Sequence, residues 1–240
     1  MGKTTTAVNL ASLAAIAGKK CLLLDLDPQA NATSNLGIAR DKNRNLGANL
    51  IGGCPIEETL TGTPIDGLDL LPGHASLTRV EQELAGMPDP LSPLRHLIKG
   101  VEAKYEIIII DCPPSMGLLP RNALSCAESV LVPIQCEYFA MEGLSQMMST
   151  IEAVRKTNNP ALELEGILFT MYEEGVQHCD EIVEEIRKHF DRKTYRTIVP
   201  RDITVAEAAS FGLPLVLYQP RSRAARSYVE LTKEIISADK

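Results

Sequence analysis

Short apolar runs alternate with helical-period runs along the whole chain, and that alternation leaves few folds open. Residues 20–25 (KCLLLD), 68–71, 105–111 (YEIIIID), 129–134, 164–171, 194–199 and 215–218 read as strands. Residues 4–17, 77–84, 91–101, 118–127, 141–155, 182–190, 205–210 and 224–236 read as helices. Strands that alternate with helices predict an α/β fold, a mostly parallel sheet with helices on both faces. Residues 107–110 are all isoleucine, so this strand is expected to be buried on both sides. Pro113 and Pro114 stop it, and Gly18 can end the first helix. Residues 43–63 are the least regular and are expected to loop over the surface. No repeat, low-complexity tract or linker divides residues 1–240, which predicts a single domain.

Composition narrows the class further. Of the 240 residues, 45% are hydrophobic, enough for one sizeable core, and 23% are charged, which excludes a disordered chain. No apolar run reaches the roughly 18–20 residues that span a bilayer. Nothing at the N-terminus resembles a signal peptide, so a cytoplasmic location is expected. The net charge of −7 excludes a uniformly basic nucleic-acid coat. Charge is nonetheless uneven, because residues 187–226 hold nine Arg or Lys and three acids, a net of +6. A basic face of this kind suits DNA phosphates, with Arg221, Arg223 and Arg226 as the expected contacts, although composition alone favours a solvated surface with intrachain ion pairs. The six cysteines form no C-x-x-C pair and are expected to act as buried small hydrophobes.

Three features carry chemistry. Gly2-Lys3-Thr4-Thr5, directly before a helix, matches the second half of a phosphate-binding loop. In such a loop backbone N–H groups and a helix N-terminus face phosphate oxygens. Lys3 would neutralise phosphate charge, and Thr4 would coordinate Mg²⁺. Asp25 and Asp27 close one strand, and Asp111 closes another. Ligands of open α/β sheets sit beyond the carboxyl ends of the strands, so all three acids and the helix start fall on the ligand edge. An acid there can hold a metal's water shell or orient an attacking water.

The segments GKTTTAVNLA, DLDPQANAT, IIIIDCPPS, VPIQCEYFAMEGL, ILFTMY and IVPRD, in that order, resemble the ParA/Soj family of deviant-Walker ATPases, within the MinD/ParA superfamily. The likeness spans residues 2–236. It implies a P-loop NTPase-like α/β fold and ATP with Mg²⁺ as cofactors. It also implies an ATP-dependent sandwich homodimer, nonspecific DNA binding by that dimer, and slow hydrolysis stimulated by a ParB-like partner. The expected function is the segregation of chromosome or plasmid DNA by a nucleoid-associated ATPase with no stable membrane association.

Carried over by residue, Gly2, Lys3, Thr4 and Thr5 match the phosphate segment, and Thr4 and Asp111 match the metal-binding positions. Asp27 matches the acid that positions the hydrolytic water, with Lys3 beside it as a catalytic residue. Pro200 and Asp202 match the segment beside the adenine. The family usually has Asn where this chain has Asp202, and Asp cannot donate the amide hydrogen bond. After Tyr172 the chain has Glu173-Glu174-Gly175, where many relatives carry an Arg. The resemblance also implies a preceding strand and a Lys-Gly-Gly ahead of Gly2. Met1 stands where the family has Val, which GTG encodes and which can serve as a start codon. The sequence therefore reads as truncated within the loop, with the absent strand expected between those ending at Asp25 and Asp111.

Three other readings share parts of this pattern. A MinD-like membrane-cycling ATPase has the same fold but needs a basic amphipathic C-terminal helix, and residues 234–240 carry little basic charge. An iron–sulfur reductase of this fold would need ligand context around Cys112 and Cys136 that the sequence does not supply. A loop-deficient, non-catalytic scaffold is the remaining alternative.

Overall fold

The computed structural model describes residues 2–137 and 139–238. The chain opens with α1 (Lys3–Ile16) and β1 (Cys21–Asp25). Then come α2 (Asn31–Asn35), α3 (Leu46–Leu50), α4 (Ile56–Thr59), the two-residue β2 (Thr61–Gly62) and β3 (Leu68–Leu71). Next are α5 (Leu77–Ala85), α6 (Pro93–Lys99), β4 (Ile107–Asp111), α7 (Leu118–Cys126) and β5 (Ser129–Gln135). The C-terminal part holds α8 (Ala140–Thr157), β6 (Glu163–Tyr172), α9 (Gln177–Phe190) and β7 (Thr194–Pro200). It ends with α10 (Thr204–Ser210), α11 (Leu215–Tyr218) and α12 (Arg223–Ala238).

The strands form two sheets, ordered β2-β3-β1-β4 and β5-β6-β7. Every pairing is parallel except β2 with β3. Helices cover both faces, as the alternation predicts. On one face α1 lies across both sheets. Its Ala7, Val8, Ala11 and Ala14 pack on Cys21 and Leu23 of β1 and on Leu68 and Leu70 of β3. Its Leu13 packs beside Leu168 of β6 and Tyr228 and Leu231 of α12. The small alanine side chains let the helix approach the sheet closely. On the other face Leu22 and Leu24 meet α3, α5, α6 and α7, while Phe169 and Ile167 meet α8 and α9.

Four expectations are corrected. First, the residues β1 and β4 pair directly and in full register, from Cys21 opposite Ile107 to Asp25 opposite Asp111. No strand can lie between them. Among the described residues, the unpaired inner edges belong to β4 and β5, the end strands of the two sheets that α1 bridges. Second, residues 107–110 are only half-buried, whereas β1 is buried throughout. An end strand lacks a neighbour on one side, so apolar composition alone does not bury it. Third, residues 215–218 form the short helix α11. Pro214 O accepts hydrogen bonds from both Leu217 N and Tyr218 N (3.0 Å each), and Asn9 Oδ1 takes the Leu215 N–H, so three of the four amides are already used outside any ladder. A four-residue apolar run does not distinguish strand from buried helix by periodicity. Fourth, residues 43–63 contain α3, α4 and β2, with α3 capped by Asn45, whose side chain accepts from Ala48 N at 3.1 Å. Three of the six free cysteines, Cys21, Cys136 and Cys179, are buried; the other three are half-buried.

Candidate nucleotide-binding site

The start of α1 is the centre of the site. Gly2 has φ +69°, the left-handed region, and turns the backbone directly into the helix. A Cβ at Gly2 would come within 3.2 Å of the Thr170 side chain of β6, so a larger residue there would be both strained and crowded. The first amides of a helix lack intrahelical acceptors and carry the positive end of its dipole, which makes this a seat for an anion.

Lys3 follows on the first turn. Burial lowers its pKa, while the carboxylates of Asp111 and Asp27, with Cys112, work in the opposite direction. Its ammonium group therefore lies in the field of both strand-end acids. Asp111 is 2% exposed, and neither of its carboxylate oxygens has a hydrogen-bond partner. Burial pushes its pKa up to about 7; the nearby Thr4 hydroxyl opposes this, and Asp25 and Asp27 add to it. An ionised carboxylate buried without partners is costly. A cation next to Asp111 and Thr4 would supply the missing partner, so the residues present fit Mg²⁺ held by a hydroxyl and an acid.

Asp27 is buried in the loop that follows β1, and its Oδ1 accepts a hydrogen bond from Gln29 N at 2.8 Å. The loop is tied back to β4 by Leu26 N donating to Asp111 O at 2.9 Å. The structure therefore brings Gly2, Lys3, Thr4, Asp27 and Asp111 to one place. Thr5 sits in the same first turn of α1, where its carbonyl accepts from Asn9 Nδ2 at 2.8 Å.

Pro200 ends β7, and Arg201 N donates to Tyr172 O at the end of β6. Asp202 is committed within the chain. One oxygen accepts from Thr204 N (3.0 Å) and Thr204 Oγ1 (2.8 Å), the other from Ala224 N (3.1 Å). Partial burial acts to raise its pKa, but the Thr204 and Ala224 hydrogen bonds outweigh it and hold the carboxyl below its ordinary range. Asp202 thus caps α10 and anchors the start of α12, and any base contact from this segment falls to its backbone.

The basic cluster is partly neutralised. Arg201 pairs with Glu173 at 2.6 Å, and Arg223 with Glu174 at 2.9 Å. Arg187 is drawn inward over the Phe169 ring. Arg221 and Arg226, near the N-terminus of α12, have no ion pair among the described residues. Glu173 and Glu174 stand out in the sequence as a departure, but only the fold shows which arginines they occupy.

Comparison with known proteins agrees with this geometry. A family profile described as an AAA domain matches residues 1–164. The chromosome partitioning protein ParA of Myxococcus xanthus is 43% identical over 240 residues, covering 100% of this chain and 85% of that protein. The sporulation initiation inhibitor protein Soj of Bacillus subtilis is 42% identical, covering 98% and 93%. Among solved structures, cobyrinic acid a,c-diamide synthase from Mycobacterium smegmatis, with bound ATP analog and magnesium, superimposes with a TM-score of 0.85. It is 29% identical, and the match covers 98% of this chain and 89% of that one. With its phosphate-seat helix, its strand-end acids and full-length similarity of this degree, the chain belongs to the ParA/Soj family of ATPases, within the MinD/ParA superfamily.

Proposed function

We propose that this protein is an ATP-dependent partitioning ATPase whose nucleotide-bound dimer holds DNA and releases it on hydrolysis. The observation that carries the reading is the buried, unpartnered Asp111 carboxylate beside Lys3 and Thr4 at the start of α1. The α1 N-terminus and Lys3 bind the phosphates of ATP, and Pro200 and the backbone of residues 200–202 lie on the adenine side. Bound Mg²⁺ would neutralise charge on the β- and γ-phosphate oxygens, held by Thr4 and through Asp111. Asp27 orients the water that attacks the γ-phosphate in line with the leaving oxygen. Two such sites facing each other across a two-fold axis would make the dimer depend on ATP.

The similarity to the chromosome partitioning protein ParA of Myxococcus xanthus supports DNA as the cargo, and the ParB-like activating partner is proposed from the family resemblance. No helix among the described residues is long and apolar enough to cross a membrane. A cytoplasmic, nucleoid-associated protein is consistent with that.

Contact with DNA is proposed at α12 and the segments next to it. Arg221 and Arg226 are free to meet phosphates, while Arg201 and Arg223 must first leave Glu173 and Glu174. Exposed ion pairs of this kind are weak, so phosphates can displace them. Fluorescence anisotropy with random-sequence duplex DNA, with ATP and with ADP, tests the proposal. Binding should need ATP and weaken steeply with salt, each phosphate contact adding about 0.9 to the log–log slope. Replacing Arg221 and Arg226 by Glu should cost about tenfold or more in affinity. Replacing Glu173 and Glu174 by Gln should raise both affinity and salt slope. Binding that needs no ATP, or that ignores all four residues, would refute the proposed surface.

A further inference from the structure

Asp25 lies on the same sheet edge as Asp27 and Asp111, but its surroundings differ from theirs. It is completely buried, and both oxygens are used within the chain. Oδ1 accepts from Asp27 N at 3.3 Å. Oδ2 accepts from Thr33 N and from Thr33 Oγ1, each at 2.7 Å. Thr33 Oγ1 in turn accepts from Gly73 N at 2.8 Å, just past β3. A Cβ on Gly73 would lie 2.7 Å from Asp25 Cγ, so only glycine permits this approach. The three residues form a closed clip between the end of β1, the start of α2 and the exit of β3.

The clip encloses the Asp27 loop. Between Asp27 and α2 the chain passes through Ala30 at φ +51°, a conformation that non-glycine residues rarely adopt. Such a turn persists only where its surroundings over-determine it. Ala30 N donates to Asp27 O at 2.8 Å, and Asp25 holds the amides on either side of the turn, at Asp27 and Thr33. Each Asp25 oxygen therefore has a hydrogen-bond partner within the chain, in contrast to Asp111.

We propose that Asp25, acting through Thr33 and Gly73, is a positioning residue that holds the Asp27 loop in its hydrolysis-competent place. This rests on the reading of Asp27 as the water-orienting acid. The clip would act on turnover and not on nucleotide affinity, because its hydrogen bonds join Asp25, Asp27, Thr33 and Gly73 and none runs to the start of α1.

Substituting Asp25 itself risks the fold, so the test uses Thr33. Thr33→Val keeps the shape and removes the hydroxyl; Thr33→Ser keeps the hydroxyl. Amide hydrogen exchange, read without nucleotide, should quicken about tenfold or more at Asp27, Thr33 and Gly73 in Thr33→Val, as loss of a hydrogen bond to a charged group implies. Exchange in β1 and β4 should stay unchanged. With ATP and Mg²⁺, kcat should fall about tenfold at constant KM, and Thr33→Ser should restore both readouts. Unchanged exchange at Asp27, equal quickening across β1 and β4, or failure of the serine to restore would overturn the clip. Wild-type turnover in Asp27→Ala would instead overturn the reading of Asp27, and the exchange measurements would still decide the clip.

Discussion

Asp27→Ala should bind ATP with nearly wild-type affinity yet lose turnover by about 100-fold or more, the scale of a lost positioned proton acceptor or water-orienting group. The two effects separate because the phosphate seat and the acid come from different elements. The seat is the start of α1, with Lys3 on its first turn. Asp27 stands on the loop after β1, held by Gln29 N and by the Asp25 clip. Truncating Asp27 would remove the proposed water-orienting group and leave the start of α1 intact. Blocking hydrolysis should also trap the assembled state, so light scattering should find an ATP-dependent dimer that persists. Phosphate release and isothermal titration calorimetry measure the two halves. Wild-type turnover, or an ATP affinity that falls with turnover, would refute the assignment.

A second large effect is expected at the inner edges of the two sheets. A variant carrying a short apolar strand and Lys-Gly-Gly ahead of Gly2 should gain several kcal/mol of stability and bind ATP about 100-fold more tightly. The stability follows from the edges of β4 and β5, which have no strand partner among the described residues. A parallel strand there would form two ladders at roughly 0.5–1.5 kcal/mol net per hydrogen bond. It would also cover residues 107–110, which stay half-buried while β1 is closed over. The affinity follows from Gly2, which would receive the strand and extend the row of backbone N–H groups facing the phosphates. Urea unfolding and calorimetry of the two chains decide it. An unchanged midpoint and an unchanged Kd would mean that α1 already draws the sheets too close to admit a strand.

The strands and helices were legible in the sequence wherever a local period was strong. The amphipathic α5 and the apolar β1 and β4 came within a few residues of their observed bounds. The 215–218 run failed because four apolar residues carry no period, and Pro214 together with Asn9, more than 200 positions away, decided its conformation. The short α2 was missed for a related reason. It depends on Asp25 holding Thr33 N, a contact eight residues apart that no helical pattern announces.

What the sequence determined by itself was the chemistry: a Gly-Lys-Thr helix start and acids at strand ends, which parallel α/β topology brings to one edge. Local spacing is enough for that, because each group is placed by its own element. What only the tertiary structure decided was how those groups differ. The β1–β4 register sets Asp25 opposite Asp111, yet both Asp25 oxygens are hydrogen-bonded, by Thr33 and Asp27, while neither Asp111 oxygen has a hydrogen-bond partner. In the same way Arg223 is tied to Glu174, whereas Arg221, two residues before it, has no ion pair among the described residues. Partners of this kind lie many residues away in the chain, and a carboxylate or guanidinium reads the same in sequence whether or not packing has supplied one.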